Sequence, residues 1–319
     1  MAFAPLYTNT LALLSNVSIL QITFYCAFFC LLASLGAVIN TLLDAASGLM
    51  AKKNLLGKFA CQGSQSAIAA LLFYLVFLGA LIPLPGGENP AVFITPYFAE
   101  MAPFLMIVFA CVITATIFWT KIPNTFITFL FSLITALVLL VQVGWWLVLD
   151  YDAFKPLQFN EFLLPVAERI MLNFSLPDHL DFLIVVAYMV LAACAIASMI
   201  MMLWLIVRRN WDDFGRDYYT FAMRRTARRS LFFLLLVTAV ASYSNWQLYA
   251  TMVESFFAIY ALVLAVSALL LMFLAIMLIV ISSTTTPMRC KPAAIASLVV
   301  FALVFFIQLI MFNFSPSLS

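Results

Sequence analysis

The sequence predicts an all-α integral membrane protein, eight transmembrane helices arranged as two parallel four-helix bundles. Three observations carry this. First, 66% of the 319 residues are hydrophobic and 9% are charged, with a mean hydropathy of +1.16; a soluble domain is about 25% charged. Second, several stretches exceed the roughly 18 apolar residues that span a bilayer as a helix, and none shows the ten-residue alternation of a membrane barrel. Third, the segments between these stretches alternate in charge, as the links of a multi-pass protein do.

Taken in order, the expected spans are 20–43, 65–82, 102–119, 125–149, 182–207, 230–248, 254–282 and 293–313. The first pair forms an opening hairpin whose link carries Lys52, Lys53 and Lys58. Lys121 follows span three; Arg208, Arg209, Arg216, Arg224, Arg225, Arg228 and Arg229 follow span five; Arg289 and Lys291 follow span seven. The opposite side receives Glu88, Glu100, Asp150, Asp152, Glu161, Glu168, Asp178, Asp181 and Glu254 against only Lys155 and Arg169. The positive-inside rule makes the basic side cytoplasmic and turns both termini outward, the expected setting being a bacterial inner membrane. The N-terminus lacks a basic n-region and an A-x-A site, so no cleaved signal peptide is expected.

The chain reads as one four-helix unit used twice. Phe59-Ala60 recurs as Phe221-Ala222, 162 residues on; Thr120-Lys121-Ile122-Pro123 is echoed by Thr284-Thr285-Thr286-Pro287, 164 on; Gln142 is echoed by Gln308, 166 on. The near-constant offset gives a first bundle at 1–149, an extracytoplasmic linker at 150–181 and a second bundle at 182–319. An even number of spans per unit makes the copies parallel. The linker, with Pro156, Pro165 and Pro177, is either a plain connection or a docking surface or lid.

Candidate chemistry is sparse. The six cysteines have neither metal-site nor disulfide spacing and are expected to pack as small hydrophobes. The basic residues sit in links, which gives nucleic acid binding no support. The single histidine, His179, stands at a membrane edge; a surface role leads, with proton handling or quinone contact as the alternative, shared by Glu254 in its short turn. A pair of histidine-ligated haems is excluded, and no haem is expected. No acid or base lies at the centre of a span, which weakens an ion-coupled transporter; Asp44 reads as a solvated acid at a span end.

Polar groups and aromatics gather toward the outer ends of spans four and six. Gln142, Trp146, Tyr243, Trp246 and Gln247 could form a quinone pocket, since a quinone needs an apolar slot, a stacking ring and donors at its carbonyls. That pocket requires the two spans to approach each other. The alternative is an interfacial aromatic belt. On the basic side Arg224/Arg228 and Arg225/Arg229 stand four residues apart; their first role is topogenic, and their second is docking of anionic lipid or of a partner subunit.

Residues 33–80, ASLGAVINTLLDAASGLMAKKNLLGKFACQGSQSAIAALLFYLVFLGA, resemble the first hairpin of cytochrome bd quinol oxidase subunits, with Ser34-Leu35-Gly36 and Lys58-Phe59 as the matching pieces. That family and the polysulfide-reductase (NrfD) membrane anchors are both built of two four-helix bundles. The haem-ligating histidines, the GRQPW segment and the long quinol loop after span six are missing. The resemblance implies a haem-free subunit of a bacterial respiratory electron-transfer complex, meeting menaquinone or ubiquinone and holding cytochrome or iron–sulfur partners against the membrane. The alternatives are a small-solute transporter, which parallel repeats also fit, and a purely structural scaffold.

Overall fold

The computed structural model describes residues 19–51, 54–80, 106–110, 112–113, 125–153, 179–211, 214–251 and 254–313; the side chains of 19–22, 24, 54, 78, 80, 144–153, 179–185, 244–251, 254–260 and 308–313 are outside the described set. The described residues are helical apart from short turns, with no strand among them. The helices are α1 (Ile19–Ala51), α2 (Asn54–Ala80), α3 (Thr125–Ala153), α4 (His179–Arg208), α5 (Arg216–Thr251), α6 (Glu254–Ser283) and α7 (Lys291–Asn313). A 3₁₀ turn, Pro287–Arg289, joins the last two. Of expected span three, only 106–110 and 112–113 are described, and both are helical.

Among the described residues, five helices are long and apolar enough to cross a membrane: Tyr25–Ala51, Leu55–Phe77, Thr125–Val143, Val186–Arg208 and Ala261–Ser283. Lys291–Ile307 in α7 is a shorter apolar helix. The chain is a multi-pass helical membrane protein.

Two expected links are largely helix instead. Helix α1 runs eight residues past the expected end of span one, and α2 begins eleven before the expected start of span two. Helix α5 begins at Arg216, so the arginines from 224 to 229 stand on the helix rather than in a link. The reason is local. Neither 44–64 nor 216–229 contains a proline, and both are rich in alanine and in straight-chain residues that lose little freedom in a helix. Hydropathy finds the part of a helix that lies in lipid, not where its hydrogen bonds stop. Gly215, with φ of +82°, makes the left-handed turn from which α5 starts. At 36 residues α5 is roughly 54 Å long, well beyond a hydrocarbon core of about 30 Å.

Helix α1 is the hub. It packs on α2, α3 and α4; α4 in turn packs on α5 and α7, and α5 on α6. The burial follows this plan: 67% of the apolar window of α1 is buried, against 22% of that of α6. Helix α6 turns Leu262, Leu269, Met272, Phe273 and Ile276 outward, an apolar surface suited to lipid. The α1–α4 contact is lined by small residues, including Ala33, Ala37, Ala193 and Ala197, all buried. Gly36 lies against the backbone of Ala193, so closely that a Cβ there would land on the Ala193 carbonyl. Small residues let two helix backbones meet without a hydrophobic driving force, the usual device inside a bilayer.

Candidate functional site

Where α1, α2, α4 and α5 meet, the small-residue seam becomes polar. Asn40, Thr41 and Asp44 follow Ala37 on α1, and Asn40 and Asp44 share one face at a four-residue spacing. Asp44 lies about 10 Å of helix inside the end of α1 and its side chain is 3% exposed. A carboxylate buried there must be paired, and its partners come from α5.

Arg225 donates Nε and Nη2 to Asp44 Oδ1 at 3.0 and 2.9 Å. Arg229 donates Nη1 to Asp44 Oδ2 at 2.7 Å and Nη2 to Oδ1. One carboxylate therefore holds two guanidiniums, the second in the two-pronged geometry that makes arginine–carboxylate pairs strong. Arg229, 13% exposed, also lies over the Phe59 ring of α2 at 5.9 Å. The ion pairs tie the first half of the chain to the second.

Neighbouring side chains continue the tie. Asn40 donates Nδ2 to Ser198 Oγ at 3.0 Å and to the Cys194 carbonyl at 3.1 Å, both on α4. Tyr218 on α5 donates its hydroxyl to Gln62 Oε1 on α2 at 2.6 Å, and the Lys58 ammonium stands 5.2 Å from the Phe214 ring. A cavity of about 10 Å³ remains among Asn40, Thr41, Asp44, Ser66, Ser198 and Arg229, room for roughly one water. Asn40 Oδ1 is buried there with no hydrogen-bond partner among the described residues.

The four arginines of the expected docking cluster thus divide. Arg225 and Arg229 close on Asp44. Arg224 donates Nε and Nη2 to the Thr284 carbonyl at 3.0 and 2.8 Å, satisfying a backbone group at the end of α6. Arg228 alone is exposed.

Of the expected quinone residues, only Gln142 and Tyr243 have described side chains. Among the described residues α3 packs on α1 and α2, whereas α5 packs on α4 and α6. Gln142 is fully buried on α3, and Tyr243 is half exposed on α5. The side chains of Trp146, Trp246, Gln247, His179 and Glu254 lie outside the described residues. No cluster of metal-ligating side chains occurs among the described residues.

From the sequence Asp44 reads as a solvated span-end acid; the structure buries it. A signal was present. Ala33, Ala37, Asn40 and Asp44 form a stripe at helical spacing in which small residues give way to polar ones toward the lysine-bearing link. No protein-family model, no curated protein and no solved structure matches the chain.

Proposed function

We propose that the chain is a small-solute membrane transporter whose halves, α1–α3 and α4–α7, rock about the α1–α4 contact, with Asp44, Arg225 and Arg229 as the latch that closes the basic side. The buried ion pair between the halves carries this reading. Charges largely taken out of water, as Asp44 and Arg229 are, cost more than they return unless their geometry is good, and an apolar replacement is often as stable. A static scaffold could have sealed the seam with alanines throughout, as it does around Gly36. A charged closure is one that opens into water at little cost, and ionisable groups inside a membrane bundle mark transport pathways by default. We take the two halves as parallel four-helix repeats related by an axis along the membrane normal, an arrangement transporters use. The basic side is placed in the cytoplasm of a bacterial cell, with both termini outside.

Cys194 tests the latch. It is buried one helical turn from Ser198, and its carbonyl accepts from Asn40. In a full-length chain whose other cysteines are replaced by alanine, an impermeant maleimide added from the basic side should label Cys194 about tenfold faster in Asp44→Asn, the shift that about 1.4 kcal/mol produces. An unchanged rate would sink the gate.

Full burial of Gln142, in an otherwise apolar stretch of α3, favours a second reading: a quinone-meeting, haem-free subunit of a respiratory electron-transfer complex. Native purification with haem staining and mass spectrometry tests it. A colourless chain recovered without a cytochrome or iron–sulfur partner removes that reading.

A further inference from the structure

We infer that the latch is opened by a small oxyanion that also carries a hydrogen-bond donor: its carboxylate or phosphate is taken by Arg225 and Arg229, and its donor by the acceptors behind them. The inference rests on the transporter reading.

Charge is the first ground. Two guanidiniums face one carboxylate, so the cluster carries a net positive charge in a largely buried seam. Arginine stays charged at every biological pH, so a proton does not remove that excess. Neither a cation nor a neutral solute gains from it. The one acid on α5, Asp217, is exposed about two turns from Arg225. Arg225 commits Nε and Nη2 to Asp44, leaving Nη1 without a partner among the described residues on a side chain that is 30% exposed. Exposed Arg228 stands one turn on. An oxyanion arriving from the basic side meets Arg225 first, and planar two-pronged recognition of carboxylate and phosphate is what arginine does best.

The chamber behind the arginines supplies the second ground. Its hydroxyls all spend their protons on their own helices. Thr41 donates to the Ala37 carbonyl, Ser66 to Gly63, Ser198 to Cys194 and Thr226 to Ala222. What they present inward is oxygen acceptors. Asn40 Oδ1, on a residue that is only 7% exposed, is a further acceptor with no partner. A buried acceptor left unmatched is costly, so this chamber fits a donor. In the closed form its volume of about 10 Å³ admits no more than roughly one water. Opening lets a hydroxyl or ammonium of the ligand take that place. Hydroxy acids, amino acids and phosphate monoanions combine both groups; acetate has the charge alone and glycerol the donors alone.

The experiment uses the full-length Cys194 reporter in phosphatidylcholine vesicles at constant ionic strength. Inorganic phosphate and lactate should each speed labelling about tenfold, a population shift of about 1.4 kcal/mol. Acetate should do less, and glycerol and choline chloride nothing. Arg225→Gln should abolish the response. Asn40→Leu should make lactate and acetate alike, and serves as the second variant if Arg225→Gln fails to fold. Equal acceleration by every salt would show screening and overturn the site. Acceleration by glycerol, or none at all in a chain that Asp44→Asn still opens, overturns the ligand class while the gate stands. An inert Asp44→Asn removes both. A response to vesicles containing phosphatidylglycerol, without free anion, assigns the same chemistry to a lipid headgroup.

Discussion

The seam between the halves is closed in two ways within about two helical turns of α1. Around Gly36 it is closed by absence, since side chains shrink until the α1 and α4 backbones touch. Around Asp44 it is closed by charge, through two arginines that reach across from α5. The first kind of contact has one good distance and degrades when the helices part. The second exchanges protein partners for water or ligand when it opens, so its open form is not a damaged one. A hinge suits the first and a gate the second.

The largest effect is expected where a charge is removed. Asp44→Ala leaves two guanidiniums facing each other in the seam. Breaking one partner of a buried pair costs about 3–5 kcal/mol, and the unfolding transition of the purified chain in detergent should fall accordingly. Arg229→Met in the same chain should recover part of the loss. A coupling energy between Asp44 and Arg229 above about 1 kcal/mol marks them as one unit. Strict additivity would mean that the two charges are separately solvated, and the comparison with Gly36 would lose one of its sides.

The hinge is tested by a single methyl group. A Cβ at Gly36 meets the Ala193 carbonyl, which belongs to a helix backbone and cannot rotate away. Gly36→Ala should therefore destabilise the chain by about 2–3 kcal/mol, toward the upper end for overpacked sites. Gly79 is the control, because a Cβ there meets nothing within 4 Å. Gly79→Ala should be neutral or gain up to about 1 kcal/mol from helix propensity. Equal stabilities for the two variants would show that α1 and α4 do not touch at Gly36.

The membrane class was legible because it depends on composition and on runs of apolar residues, which no packing detail overrides. Helix identity was legible for the same reason. The limits of α1, α2 and α5 were not, because polar and charged residues such as Asp44, Lys58 and the arginines of α5 lower the hydropathy of residues that remain helical. Asp44 was misread for a related reason. Distance from the end of an apolar run measures depth in lipid, whereas burial depends on what packs beside the residue. Seven arginines in one stretch were read for their topogenic effect. That two of them close on one carboxylate is a property of the helix phase of 225 and 229 against α1, and no local spacing contains the position of α1. The quinone pocket depended on spans four and six meeting, a tertiary relation of the same kind.

Asn40 lies between the two regimes, one turn from Gly36 and one turn from Asp44, and gives the smallest expected effect. Its amide bonds to Ser198 and Cys194 look like part of the polar network. Yet Ser198 also donates to the Cys194 carbonyl at 2.8 Å, so neither group is stranded when the amide is removed. Asn40→Leu also eliminates the unmatched Oδ1. Replacing a polar group by an apolar one of similar shape is close to neutral when no partner is left unsatisfied, so the loss should stay near 1 kcal/mol or below. A loss of about 3 kcal/mol would mean that Asn40 acts with Asp44 and the arginines. The charged closure would then begin one turn deeper, and the length of seam available as a hinge would shorten to the contact at Gly36.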